Sequence, residues 1–142
     1  DSPSVKLLTN GIRGSLKYSD SEWCTWNDND SVSFTIDLLK PETLNTLTLG
    51  CITNNGMAIH KPSSVKVEVS DDNSSFCEAA MRSFTPEEIF REGNFIENLP
   101  LKLRGTQARY VRVTAKGPGV CPASHVRPGQ VSRILFDEMI LE

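Results

Sequence analysis

The sequence predicts an all-β fold, an antiparallel sandwich or barrel. Period-two alternation recurs from Val32 to the end, and Gly, Pro, Asn and Ser clusters separate the alternating runs. The two ends of the chain add a third observation. Leu8-Thr9-Asn10-Gly11-Ile12-Arg13-Gly14-Ser15 is a glycine-punctuated turn rich in side-chain and main-chain oxygens, and Ile134-Leu135-Phe136-Asp137-Glu138-Met139-Ile140-Leu141 is a strand in which acids interrupt an apolar run. Strict alternation puts Ile134, Phe136, Glu138 and Ile140 on one face, with a carboxylate in line with core residues. Unless Glu138 lies at the sheet rim in water, such a group must be neutralised, paired or bound to metal, and the oxygen-rich turn is a fitting partner. An ion-tied β-sandwich is the expectation.

The elements follow in order. Val32, Phe34, Ile36 and Leu38 alternate with Ser33, Thr35 and Asp37, as a half-buried strand requires, and Leu47, Leu49 and Cys51 continue the pattern. Val65, Val67 and Val69 alternate with Lys66, Glu68 and Ser70, after which Asp71-Asp72-Asn73 supplies a turn before Phe76. One segment is helical in character: Thr85-Pro86-Glu87-Glu88 offers an N-cap, a proline at the first helical position and a glutamate at the third, enough for one or two turns before Gly93. Val111, Val113 and Ala115 alternate with Tyr110, Arg112 and Thr114, and the final strand closes the series. The punctuation falls at 27–31, 53–56, 117–119 and 122–129. With no repeat, linker or low-complexity tract, residues 1–142 are expected to form one domain.

A chain of 142 residues suffices to bury a core without metal or disulfide staples, and is too short for a (β/α)₈ barrel of about 250 residues. A 38% hydrophobic and 23% charged composition describes a globular, soluble protein. No apolar run approaches the roughly 18 residues that span a bilayer, and there is no signal peptide. The opening at Asp1 rather than methionine predicts an excised fragment or a processed product. A net charge of −3 with scattered Lys and Arg argues against a nucleic-acid partner. The densest cationic stretch, Lys102 to Arg112, reads as a strand with solvated edges. Cys24, Cys51, Cys77 and Cys121 have no CxxC pairing, which speaks against a zinc knuckle. Most are expected to be small buried hydrophobes; Cys24 and Cys121, both in loop-like segments, are the pair to test for a bond.

The order of Leu8-Thr9-Asn10-Gly11, Tyr18-Ser19-Asp20, Trp23 to Trp26, Val32 to Leu38, Val65 to Asp72, Ala108-Arg109-Tyr110-Val111-Arg112-Val113 and Phe136-Asp137-Glu138-Met139 resembles the coagulation factor V/VIII type C, or discoidin-like, domains over nearly the whole chain. More narrowly, Pro122-Ala123-Ser124-His125 followed by 134–142 is similar to the ending of the carbohydrate-binding modules at the C-termini of bacterial β-hexosaminidases, or chitobiases. The resemblance implies an eight-stranded antiparallel jelly roll, calcium on one side, and a ligand taken up by loops at one end. Carried over residue by residue, the calcium ligands implied are the Leu8 carbonyl, the Asn10 side chain, the Ile12 carbonyl, Ser15 through hydroxyl and carbonyl, and Glu138. Asn10 stands where the family usually has Asp, which removes a charge and weakens the site, leaving sodium, water or an ion-free turn as alternatives.

A pyranose has an apolar C–H face and a rim of hydroxyls, so its site needs an aromatic platform beside fixed polar groups. The loop residues that offer these are Trp26, Asn54, Asn55, His60, His125 and Arg127. Trp23 reads as core and Trp26 as either core or platform. His125 reads as a ligand or as a pin for the 122–128 segment, and Arg127 as a contact or a solvated charge. Related modules often carry an aromatic where this chain has Ala58 and another where it has Ser124, so a changed glycan, weak binding or a pure spacer role stay open.

No GxSxG, HExxH or phosphate-binding glycine loop occurs, and no carboxylate pair has a catalytic pattern, so no catalytic residue is assigned and no turnover is expected. Discoidin-type domains include lipid and protein binders, but the tips at 54–57 and 117–120 are only mildly apolar, which argues against membrane insertion. The expected role is a non-catalytic module of a secreted, periplasmic or cell-surface glycoside hydrolase. Its expected partners are a glycan of hexosamine or galactose type and the parent catalytic domain.

Overall fold

A computed structural model describes residues 31–142 and the main chain of 24–26. Leu8, Asn10, Ile12 and Ser15, and the side chains of Trp23 and Trp26, lie outside the described residues. Among the described residues there are six strands, β1 (Cys24–Trp26), β2 (Val32–Asn54), β3 (Ser64–Ser70), β4 (Cys77–Ser83), β5 (Asn94–Lys116) and β6 (Ile134–Leu141), and one short α-helix, α1 (Pro86–Ile89). They form a sheet of order β1-β6-β2-β5-β3-β4 in which every neighbour is antiparallel. No helix among the described residues is long and apolar enough to cross a membrane.

The all-β antiparallel expectation holds, and the described residues form six strands in place of the eight expected. The reason is local. β2 and β5 run 23 residues each, and both turn a corner without losing their mutual ladder. On β2 the register jumps between Asp37 and Glu42, where Leu39 takes a φ of 73°. The Asp37 carboxylate holds that corner, accepting from the Leu39 N–H at 2.8 Å and from the Arg109 guanidinium at 2.8 and 3.0 Å. That pair holds the Asp37 carboxyl below the ordinary range. On β5 the jump falls opposite Leu44–Thr46, where Arg104 and Gly105 take successive positive φ values of 57° and 74°, as a tight reversal requires.

Each long strand thus serves two layers. Residues 32–37 pair with 110–115, which pair in turn with β3, whereas 46–54 pair with 94–102 and with β6. One core joins the two: Leu47, Leu49, Leu99 and Leu101 pack with Val65, Val67, Val111 and Val113. A smaller cluster of Ile52, Ile59 and Leu135 lies on the opposite face, with Met57 and Ile96 against it.

β6 departs from strict alternation. Leu49 faces Met139 while Cys51 faces Phe136, so β6 carries one extra residue in that interval. Ile134, Phe136 and Met139 enter the main core, and Ile140 is 41% exposed. The shared face expected for Ile134, Phe136, Glu138 and Ile140 is therefore broken: the bulge moves Glu138 and Ile140 to the other side. Glu138 is buried all the same, at 6% exposure, as is Asp137.

The expected turn after β3 is built by Asp72, whose carboxylate accepts from the Ser74 and Ser75 N–H groups, each at 2.9 Å. Helix α1 carries the full capping box. The Thr85 hydroxyl accepts from Glu88 N–H at 3.2 Å, and the Glu88 carboxylate accepts from Thr85 N–H at 3.0 Å. Thr85→Ala removes one half of that box and is expected to cost about 1 kcal/mol in urea unfolding.

Candidate functional site

Three segments meet at one end of the sandwich. The first is the turn after β2, a 3₁₀ turn at Asn55–Met57 closed by Ala58 in the left-handed region at φ 55°. Its base is tied by reciprocal main-chain bonds between Asn54 and Ile59, at 2.9 and 3.1 Å. The second is α1 with Phe90 at its C-cap. The third is the long loop between β5 and β6, pinned by Cys121 N–H to Gln130 carbonyl at 2.8 Å and Gly129 N–H to Cys121 carbonyl at 2.9 Å. Arg127 links the third segment to the first, donating from Nε to the Gly56 carbonyl and from Nη1 to Gln130 Oε1 at 3.3 Å.

Between these segments lies a cleft of about 270 Å³ lined by Asn55, Pro86, Glu87, Phe90, Glu92, Pro122, Ser124 and His125. Ligand pockets usually run from roughly 300 Å³ upward, so this one suits a single ring rather than a chain. Phe90, half-buried, supplies an aromatic wall, while Asn55 Oδ1 is a buried acceptor with no partner among the described residues. Those two groups give the combination that a small polyhydroxylated ring needs: an apolar surface and a fixed polar atom.

Behind the cleft, His125 on its lining pairs with the buried His60. His60 and His125, the two histidines of the chain, place their Nε2 atoms 3.0 Å apart, with ring centroids at 5.1 Å and an edge-on angle of 74°. Phe90 packs edge-on against both, at 5.0 and 6.3 Å. The tautomers follow from one main-chain contact. Arg127 N–H donates to His125 Nδ1 at 2.9 Å, so a neutral His125 carries its proton on Nε2 and donates it to His60 Nε2. His60 then carries its own proton on Nδ1. Burial, and secondarily the charge of a protonated His125, push the His60 pKa down to about 4. The Ile89 main chain opposes that shift without making a well-formed hydrogen bond to His60 Nδ1.

The structure brings the expected loop residues together unevenly. Asn55 and His125 line the cleft, and Arg127 braces it. His60 is fully buried behind His125 and turned away from solvent, and Asn54 serves through its main chain. Trp26 ends β1 with its main chain opposite Ile134. Both nitrogens of His125 are engaged within the fold, so it offers the cleft a ring edge rather than a free donor. Phe90 is the wall residue that sequence reasoning did not assign to the site; its signal was the capping box that starts the helix five residues earlier. Ala58 is fully buried, so that position presents no surface here, whereas Ser124 lines the cleft with Phe90. Cys121 is a buried free thiol, so it makes no bond to Cys24, the pair named as the one to test; Cys51 is likewise free and buried, as expected of a small hydrophobe, and Cys77 is free and exposed.

Comparison with known proteins agrees with this architecture. The C-terminal domain of a chitobiase from Bacteroides fragilis superposes with a TM-score of 0.59 at 15% identity, over 98% of this chain and 79% of that one. A carbohydrate-binding module from Clostridium perfringens, solved with GalNAc-β-1,3-galactose, gives 0.60 at 14% identity over 99% and 89%. A fucose-binding module from Streptococcus pneumoniae gives 0.58 at 18% identity over 100% and 89%. At such identities the likeness is one of fold. No curated protein matches the chain significantly. The model of the F5/8 type C domain matches residues 6–127, most of the chain, and the protein accordingly belongs to the F5/8 type C, discoidin-like, family.

Proposed function

We propose that the chain is a single non-catalytic carbohydrate-binding module that takes one terminal sugar into the cleft between Phe90 and His125. The observation that carries the reading is the cleft itself: a one-ring cavity at the loop end of the sandwich, with an aromatic wall and an unpartnered buried acceptor on Asn55. Two of the similar structures support it, since one holds GalNAc-β-1,3-galactose and another is a fucose-binding module. By the same likeness the module belongs to a larger glycoside hydrolase outside the cytoplasm and acts by tethering it to glycan. The eight-stranded jelly roll then corresponds to counting the bent strands β2 and β5 twice.

Titration calorimetry with galactose, N-acetylglucosamine, N-acetylgalactosamine and fucose tests the reading. At least one should bind, and Phe90→Ala should weaken that ligand by about tenfold or more, an aromatic contact being worth roughly 1.5 kcal/mol. Absence of binding by all four would sink the single-sugar assignment. A second reading, docking on the parent catalytic domain without sugar affinity, is favoured by an exposed apolar set near the cleft: Val120 at 54%, Val126 at 67% and Val131 at 40% exposure, the first and last bridged to each other.

A calcium tie between Glu138 and the Leu8, Asn10, Ile12 and Ser15 oxygens belongs to the same proposal. Its support is the burial of the Glu138 carboxylate, a group that hard-cation coordination neutralises. Adding calcium to chelated protein should then raise the melting temperature, and Glu138→Gln should abolish the rise. An unchanged melt at millimolar calcium refutes the tie.

A further inference from the structure

We propose that His60, Cys121 and His125 form a buried binding site for one zinc ion behind the cleft, independent of any sugar and of the calcium tie. The three potential ligand atoms lie within 4.8 Å of one another, and the residues are 0%, 2% and 8% exposed. Two imidazole nitrogens and a thiol are borderline-to-soft donors, which select zinc over calcium or magnesium. The donors come from two loops: His60 follows the turn after β2, and the other two sit four residues apart between β5 and β6.

The spacing is close to what zinc requires. Bonds of about 2.0–2.1 Å to nitrogen and 2.3 Å to sulfur place tetrahedral ligands roughly 3.3–3.6 Å apart. The imidazole pair, at 3.0 Å, opens slightly, and the sulfur moves inward by on the order of 1 Å. Cys121 Sγ is lightly held, its neighbour Ser132 Oγ standing at 4.0 Å. His60 Nδ1–H faces inward beside the Ile89 main chain, a suitable outer partner for a ligating histidine.

Binding rearranges protons. The Cys121 thiol loses its proton to solvent. His125 must present Nε2 as a lone pair, so its proton moves to Nδ1 and the Arg127 N–H contact is given up. His60 already offers Nε2. One proton is released per zinc, two hydrogen bonds, from Arg127 N–H to His125 Nδ1 and between the two Nε2 atoms, are exchanged for three metal bonds, and a water fills the fourth position. The ion would clasp the two loops that carry Asn55 and Ser124.

Cobalt(II) serves as the spectroscopic probe, added to the reduced full chain carrying Cys77→Ser to remove the exposed thiol. A thiolate-to-cobalt band in the near ultraviolet with intense visible bands of tetrahedral form should saturate at one equivalent, and zinc should bleach it with the same stoichiometry. Cys121→Ser should abolish the near-ultraviolet band, and His125→Gln, at the cleft rim, should weaken cobalt binding by at least about tenfold. Unchanged metal-free melting of Cys121→Ser shows that the fold survives. A missing band, or one that persists in Cys121→Ser, overturns the site.

Discussion

Phe136→Ala should lower the free energy of unfolding by about 3–5 kcal/mol, a large part of the 5–15 kcal/mol typical of a domain. Phe136 is fully buried and heads the large side chains of the core. It stands on β6, opposite Cys24 of β1 on one side and Cys51 of β2 on the other, so its ring fills the middle of that layer. Truncation removes the transfer energy of the ring and leaves a cavity in a sheet whose strands cannot close over it. Phe136→Leu keeps most of the volume and should cost less than about 1.5 kcal/mol beyond the lost ring contacts. Urea unfolding of both variants decides the matter; a loss under about 1 kcal/mol for the alanine form would mean the site is not packed as described.

Acidification should destabilise the fold well before its carboxylates titrate. His60 has an ordinary pKa of 6.5 and is held to about 4 in the folded chain, chiefly by burial. The sign follows directly: between those values the unfolded chain binds a proton that the folded one refuses, so stability is full above pH 6.5 and falls as pH drops toward 4. A difference of about 2.5 units corresponds to roughly 3 kcal/mol at most. The carboxyls of Asp37, Glu68, Asp72 and Glu88, all held below their usual range by partners, lose their stabilising contacts only at lower pH. Urea midpoints measured from pH 7.5 to 4.5 in chelated protein should therefore decline, and His60→Gln should flatten the profile. A wild-type profile as flat as that of His60→Gln would refute this account.

Much of the fold was legible because it rests on local chemistry. The Val65–Val69 alternation, the Asp72 turn and the Thr85–Glu88 box each announce themselves within a few residues, and each is found. β4 did not: Cys77–Ser83 is an edge strand with little inward demand, and its Glu, Ala and Arg residues leave no apolar stripe. The first half of β5 was hidden by Pro100 and by the adjacent apolar pair Phe95-Ile96, which breaks alternation. The bulge in β6 was invisible because the sequence fixes a period only while the ladder stays regular, and register against β2 is a tertiary matter. The same limit applies to the cleft. Asn55 and His125 carry loop signatures, but that Phe90 would face them depends on where α1 is set down, and that His60 would be sealed behind His125 depends on two loops 65 residues apart.

The corners in β2 and β5 make the two halves of the sandwich inseparable in time as well as space. Because the same two strands stay paired on both sides of their two register shifts, the layers share their ladder partners, so deuterium uptake in 32–37 and 46–54 should track a single opening event.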